Sequence, residues 1–269
     1  MTKKEVYTLT QKQGMRVIVL SSTAFGYRCL KEGILGTPGV KVAGILTTPP
    51  QIDISHKPVV LSTHVTFDDI AKQGEVVEMS EITADTYLEQ IERWHPDLML
   101  VLGWYFMIPR IVRESVPLEC VGIHASLLPK YRGWAPVSWA IINGELNTGI
   151  TFFYMADGVD NGLIIAQESF IIEDSDTCLT AYEKATQASI KVLREYLPQI
   201  AAGTAPRISQ DESQATYSPQ RKPEDGLINW SWSAKRIRDF IRAQTRPYPG
   251  AFTYIEGKKV TIWDADVKS

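Results

Sequence analysis

The apolar and polar positions alternate between two periods along the chain. Met15-Arg-Val-Ile-Val-Leu20, Val40 to Thr47, Leu98 to Leu102, Cys120 to His124 and Ile150 to Met155 are short apolar, β-branched runs. Runs of this kind form strands buried on both faces. Between them lie stretches of helical period. One surrounds Tyr27 to Gly33, and another covers 81–94 with Ile82, Leu88 and Ile91 on one face. Thr180 to Leu197 reads as a third helix. Strands alternating with helices predict a parallel sheet with helices on both faces, and in such sheets ligands bind beyond the carboxyl ends of the strands.

The pattern changes after residue 203. Gly203 to Gly226 is rich in Ser, Pro, Gln and charge, the profile of a linker or irregular arm. Beyond it Ser233 can cap a helix with Ile237, Phe240 and Ile241 facing inward. Phe252 to Ile255 and Val260 to Trp263, joined by a Glu-Gly-Lys-Lys turn, read as a hairpin. The expected organisation is an extension at 1–14 with an edge strand at Glu5 to Thr10, a main domain at 15–205, and an arm with a small subdomain at 206–269.

Composition narrows the function without naming it. Of the 269 residues, 44% are hydrophobic and 22% charged, and the net charge is −3. That balance suits a globular protein and disfavours a nucleic-acid surface, which is usually basic. Lys235, Arg236, Arg238 and Arg242 form a local basic cluster, read as a solvated helix face. The three cysteines lack a C-x-x-C spacing, and no apolar run reaches the roughly 18 residues of a membrane span. The start of the chain shows no signal peptide, so a cytoplasmic location is expected. His56, His64 and His95 share no metal-ligand spacing, so no metal site is expected.

The chemistry concentrates in two segments. Gly122-Ile-His-Ala-Ser-Leu-Leu-Pro-Lys-Tyr-Arg-Gly133 places His124 at the mouth of a defined loop after a strand. Met155-Ala-Asp-Gly-Val-Asp-Asn-Gly162 follows the next strand and offers Asp160, a carboxylate able to fix a histidine tautomer and support its charged form. On the strand-end rule the two segments are expected to converge.

Taken together, these segments resemble the folate-dependent formyltransferases, and the resemblance runs from about Met15 to Trp263. The His-x-Ser-Leu-Leu-Pro-x-x-Arg-Gly signature is its most specific part. The resemblance implies a Rossmann-like parallel-sheet core with a small C-terminal α+β extension, a truncated barrel-like subdomain. It implies 10-formyltetrahydrofolate as cosubstrate, with Gly103-Trp-Tyr-Phe-Met-Ile108 around the pterin and Ser126, Leu127, Asp157 and Gly158 nearby. His124 and Asp160 are the implied catalytic pair, acting on the oxyanion and protons formed when an amine attacks the formyl carbon. One departure stands out. The family places an asparagine, a further oxyanion donor, where this chain has Gly122.

The segments from Trp134 to Glu145 and from Ala215 to Gly226, with Trp230 and Pro247 to Gly250, are most similar to the nucleotide-sugar branch. The chain also leaves room after Trp263 for only a fragment of the tRNA-binding barrel. The acceptor expected is therefore a UDP- or dTDP-linked amino-deoxysugar, a precursor of surface polysaccharide or nonulosonic acid. No nucleic-acid or membrane partner is expected, and exposed hairpin edges suggest pairing into a homodimer. The alternatives are a methionyl-tRNA or carrier-bound aminoacyl formyltransferase, and an inactive folate- or sugar-binding relative.

Overall fold

The structure, a computed structural model, describes residues 14–54, 57–60, 64–71 and 74–268. The edge strand expected at Glu5 to Thr10 and His56 lie outside these residues.

The central element is a seven-stranded sheet ordered β10-β9-β7-β6-β1-β2-β5. Its strands are β1 (Met15–Leu20), β2 (Val40–Thr47), β5 (Glu75–Glu78), β6 (Leu98–Leu102), β7 (Glu119–His124), β9 (Asn147–Tyr154) and β10 (Ile164–Ile171). β1 runs parallel to β2 and β6, with Val19 opposite Ile45 on one side and Leu100 on the other. β6 is parallel to β7, and β2 to β5. Val17, Ile18, Val19 and Leu20 are all fully buried. Each such side chain contributes about 1.5–3 kcal/mol by leaving water. β9 and β10 adjoin in the sheet and are joined by 155–163, too short for a parallel crossover, so the Rossmann-like core gains an antiparallel pair. β3 (Gln51–Ile54) and β4 (Lys57–Val60) form a separate antiparallel pair.

The chain passes from β1 outward through β2 and β5, then returns to place β6 on the other side of β1. The order therefore reverses between β1 and β6, the switch point at which open α/β sheets hold ligands. α1 (Ala24–Arg28) follows β1, capped by the Thr23 side chain, and continues as a π-helical turn to Ile34. The helix begins three residues before the expected stretch because Thr23 is an N-cap. α2 (Ala84–Trp94) has a Thr83–Thr86 capping box and buries Tyr87, Ile91 and Trp94. Ile82, expected on that face, precedes the cap and is only partly buried. A short α3 (Arg110–Arg113) lies between β6 and β7.

Later elements are β8 (Arg132–Gly133), α4 (Pro136–Ile142), α5 (Cys178–Ala202), β11 (Tyr217–Ser218), α6 (Ala234–Arg242), β12 (Ala251–Ile255) and β13 (Lys258–Ile262). The chain divides into two compact units. The first comprises Met1–Ile123, Phe152–Ala166 and Ser189–Ser209; the second comprises His124–Thr151, Gln167–Ala188 and Gln210–Ser269. The first unit is centred on Ile18, Leu20, Leu46, Trp94, Met99 and Val112. The second has one cluster around Val137, Ile141, Ile172 and Ala181, and another around Ile228, Phe240, Ile241 and Ala251.

The arm at 203–226 is more ordered than its composition predicts. β11 pairs in parallel with β8, and Arg132, fully buried, binds Glu212 through both carboxylate oxygens at 2.6 and 2.8 Å. Gln210 Oε1 and the Tyr217 hydroxyl accept further bonds from the same guanidinium. The Arg132 bond holds the Glu212 carboxyl below the usual carboxylate range. The hairpin β12–β13 turns through Glu256 and Gly257, both at positive φ, the geometry a two-residue hairpin loop favours. The basic residues of α6 are engaged rather than merely solvated. Arg242 bonds buried Asp239 and the Glu173 and Asp176 carbonyls, while Lys235 also reaches Asp239. Arg238 reaches the Asp174 carbonyl, and Arg236 stacks on Trp232. Among the described residues no helix is long and apolar enough to cross a membrane.

Candidate functional site

In the first unit, Gly103 to Ile108 follows β6 directly at the sheet's switch point. This stretch lies between the end of β6 at Leu102 and the start of α3 at Arg110. Its backbone N–H and C=O groups are therefore outside any helix or strand ladder. Gly103 has φ +63, and a Cβ there would stand 2.2 Å from Thr23 Oγ1, so only glycine fits. The side chains divide by role. Ile108 is core, and Trp104 packs on that core while donating from Nε1 to the Tyr87 hydroxyl at 2.9 Å. Tyr105 and Phe106 are half-buried, and Met107 is exposed.

Arg113, a residue the sequence did not single out, ties this segment to the turn after β9. Its guanidinium donates to the Ile108 carbonyl, the Met155 carbonyl and the Asp157 carboxylate. Asp157 is thereby fixed against the segment that follows β6. The turn is tight. Asp160 has φ +47, a left-handed conformation that Asp tolerates better than most residues, and Gly162 packs so closely that a Cβ would strike the Tyr154 carbonyl. Gly122, in β7, is buried, and a Cβ on it would meet the Val101 carbonyl at 3.2 Å and the Met155 sulfur at 3.6 Å. The thioether of Met155 thus borders the space an asparagine side chain would use.

In the second unit, His124 is buried at the end of β7, and its Nε2 lies 2.7 Å from the Tyr131 carbonyl. The loop between them is held internally. Ser126, fully buried, donates to the Lys130 carbonyl at 2.6 Å. Thr151 donates to the Ser126 carbonyl and accepts from the Leu128 N–H, while Gln167 donates to the Leu128 carbonyl. Ser126 therefore shapes the loop, with half-buried Leu127 beside it. Tyr131 has φ +58. Its hydroxyl donates to Glu145 at 2.6 Å, and burial first, then that carboxylate, pushes its pKa up to about 12.

His124 belongs to the second unit and Asp160 to the first. The three cysteines are free and buried, and burial raises their thiols far above the usual range, so they are neutral. Among the described residues no group of three His, Cys, Asp or Glu side chains is arranged to hold a metal ion.

Comparison with known proteins places this arrangement. A methionyl-tRNA formyltransferase of Acetivibrio thermocellus is 35% identical over 253 residues, 94% of this chain and 80% of that protein. Among solved structures, a sugar N-formyltransferase from Shewanella sp FDAARGOS_354 superposes with a TM-score of 0.71 at 19% identity, covering 95% of this chain and 99% of that one. HypX from Aquifex aeolicus, solved with tetrahydrofolic acid, gives a TM-score of 0.67 at 19% identity over 93% of this chain but only 37% of its own. The formyl transferase model matches residues 15–197, and the formyl transferase C-terminal domain model matches 221–269. The chain belongs to the formyl transferase family.

Proposed function

We propose that this chain transfers a formyl group from 10-formyltetrahydrofolate to an amine, with His124 and Asp160 as the catalytic pair. The observation that carries the reading is the bond from His124 Nε2 to the Tyr131 carbonyl, on the loop that bears the family signature. A carbonyl only accepts, so Nε2 holds a proton. Bound formyl-folate supplies an electrophilic formyl carbon. His124 stabilises the charge that develops on the formyl oxygen and helps carry the amine proton toward the leaving nitrogen. Asp160 is the carboxylate member of that pair. Gly103 to Ile108 holds the pterin, with Asp157 fixed beside it by Arg113; Gly158, Ser126 and Leu127 are further folate-binding candidates. Gly122 offers no side-chain donor where the family carries asparagine.

For the acceptor, sequence likeness supports methionyl-tRNA better than an amino sugar, since the 35% identical relative bears that name. The amino-sugar reading stands second on one observation. Of the three arginines of α6, Arg238 and Arg242 bond to carbonyls and carboxylates of their own unit and are engaged there rather than turned to a phosphate backbone. The test is tetrahydrofolate release from 10-formyltetrahydrofolate with methionyl-tRNA, or with UDP- and dTDP-linked amino sugars. Release with either names the acceptor. No release with any amine sinks formyl transfer as the activity.

A further inference from the structure

The carbonyl that accepts from His124 Nε2 belongs to Tyr131, and the phenol of the same residue bonds to Glu145. We infer that Glu145 is a positioning residue: through the Tyr131 hydroxyl it holds the carbonyl that fixes the His124 tautomer. Its value to catalysis rests on the formyl-transfer reading. All three residues lie in the second unit.

Tyr131 has φ +58, a left-handed conformation that a bulky residue keeps only where its surroundings enforce it. Rotation about its N–Cα bond swings the side chain and the carbonyl together. Holding both the N–H and the phenol therefore leaves the carbonyl little freedom. The N–H end is held by the Thr216 hydroxyl, which accepts at 2.8 Å, and by the next residue, whose N–H donates to the Thr216 carbonyl. At the other end the Tyr131 hydroxyl donates to Glu145 at 2.6 Å and accepts from Asn143 Nδ2 at 3.3 Å. With its pKa pushed up to about 12, by burial first and then by Glu145, the phenol keeps its proton and remains a donor.

Glu145 can act as an anchor because its own backbone is fixed. Asn143 caps α4, and Gly144 follows at φ +72. The Gly144 N–H donates to the Ile141 carbonyl and the Glu145 N–H to the Ala140 carbonyl, both at 3.0 Å. A glycine in left-handed conformation closes a helix C-terminus in this way. Val137, Ala140 and Ile141 of the same helix are fully buried, so the helix end is tied to the core. A core-packed element thus reaches, through one carboxylate and one phenol, the carbonyl that sets His124. Tyr131, Asn143 and Glu145 also line a cavity of about 330 Å³, with Lys130, Trp139 and residues 216–219. A residue that only touched a ligand there would act through KM, whereas one that positions the histidine acts through kcat.

The test is an NMR spectrum of the imidazole nitrogens in histidine-labelled protein, for the wild type, Tyr131→Phe, Glu145→Gln and the double variant. The chain has four histidines, and His124→Gln identifies the His124 signals. Both substitutions keep the side-chain shape, and melting curves check the fold. Neutral His124 should be the single Nε2–H tautomer in the wild type and a mixture in each variant. With methionyl-tRNA as acceptor, kcat should fall about ten- to hundredfold in each single variant, with the KM for either substrate little changed. The double variant should be no slower than Tyr131→Phe, because Glu145 acts through that hydroxyl. A wild-type His124 in the other tautomer, or a pure Nε2–H tautomer in both single variants, overturns the role. So do losses that multiply in the double variant, or a loss confined to KM. Failure of the wild type to release tetrahydrofolate with any amine would instead defeat formyl transfer, and the nitrogen spectra would still judge the positioning.

Discussion

The Nε2 nitrogen of His124 and the carbonyl oxygen of Tyr131 are 2.7 Å apart, and this single contact settles which ring nitrogen holds a proton. The neutral imidazole is the Nε2–H tautomer, with Nδ1 as acceptor; on protonation both nitrogens donate. On this geometry His124→Ala should lower turnover by about 10²–10⁴-fold, the range of positioned acid–base groups, while the melting temperature changes little. Asp160→Ala should act in the same direction. Tetrahydrofolate release is the readout, and near-normal rates in both variants would remove the pair from the reaction.

Gly122 and Met155 form a coupled position. A Cβ there would press on the Val101 carbonyl at 3.2 Å and come into ordinary contact with the Met155 sulfur at 3.6 Å, so a longer side chain competes with the thioether for space. Gly122→Asn alone should destabilise the protein by about 1–3 kcal/mol through overpacking. Adding Met155→Ala should return part of that loss and give the amide space. Denaturant unfolding of the two single variants and the double variant measures the coupling. Additive effects would mean the two side chains do not compete.

Arg113 holds two carbonyls and a carboxylate at once. Its side chain is only 12% exposed, so removing it orphans partly buried acceptors at a cost of about 1–3 kcal/mol each. Arg113→Ala should raise the KM for the folate several-fold more than it lowers kcat, and Arg113→Lys should restore only part of the affinity. A change in kcat with an unaltered folate KM would contradict the positioning role.

Asp176 links stability to acid. Burial opposes its ionisation, yet Lys184, the Glu173 N–H and Thr180 outweigh burial and hold its carboxyl below the usual range. A depressed folded-state value contributes stability above the unfolded value of about 3.9, and that stability is lost as pH falls through the folded value. Asp176→Asn should flatten the fall in melting temperature below about pH 4. An unchanged acid limb would place that sensitivity elsewhere.

Much of the fold was legible because buried strands announce themselves. Met15–Leu20, Val40–Thr47 and Leu98–Leu102 were anticipated to the residue, as apolar runs between breakers. The hairpin at β12–β13 was visible from its Glu-Gly turn. β5, Glu75–Glu78, was not, because an edge strand with charged ends has no apolar run to show. β10 alternates buried and exposed positions only in its second half, which hid it as well. Of the candidate site, the signature loop and the Asp160 turn stood out through their glycines, proline and histidine. Arg113 and the 130–145 cavity did not. An arginine that bonds backbone carbonyls leaves no spacing to find, and the cavity that Lys130, Tyr131, Trp139, Asn143 and Glu145 line together with residues 216–219 exists only after the chain has folded.

The buried Arg132 has a consequence for how the molecule is made. Its partners Gln210, Glu212 and Tyr217 lie about eighty positions downstream and leave the ribosome well after the histidine loop does. Until then a guanidinium built to be enclosed stands in water, and the loop keeps only its internal bonds and those to Thr151 and Gln167. The surroundings of that arginine are therefore finished late in synthesis. A nascent chain arrested before Gln210 should show protease cuts around Lys130 that the full-length chain resists.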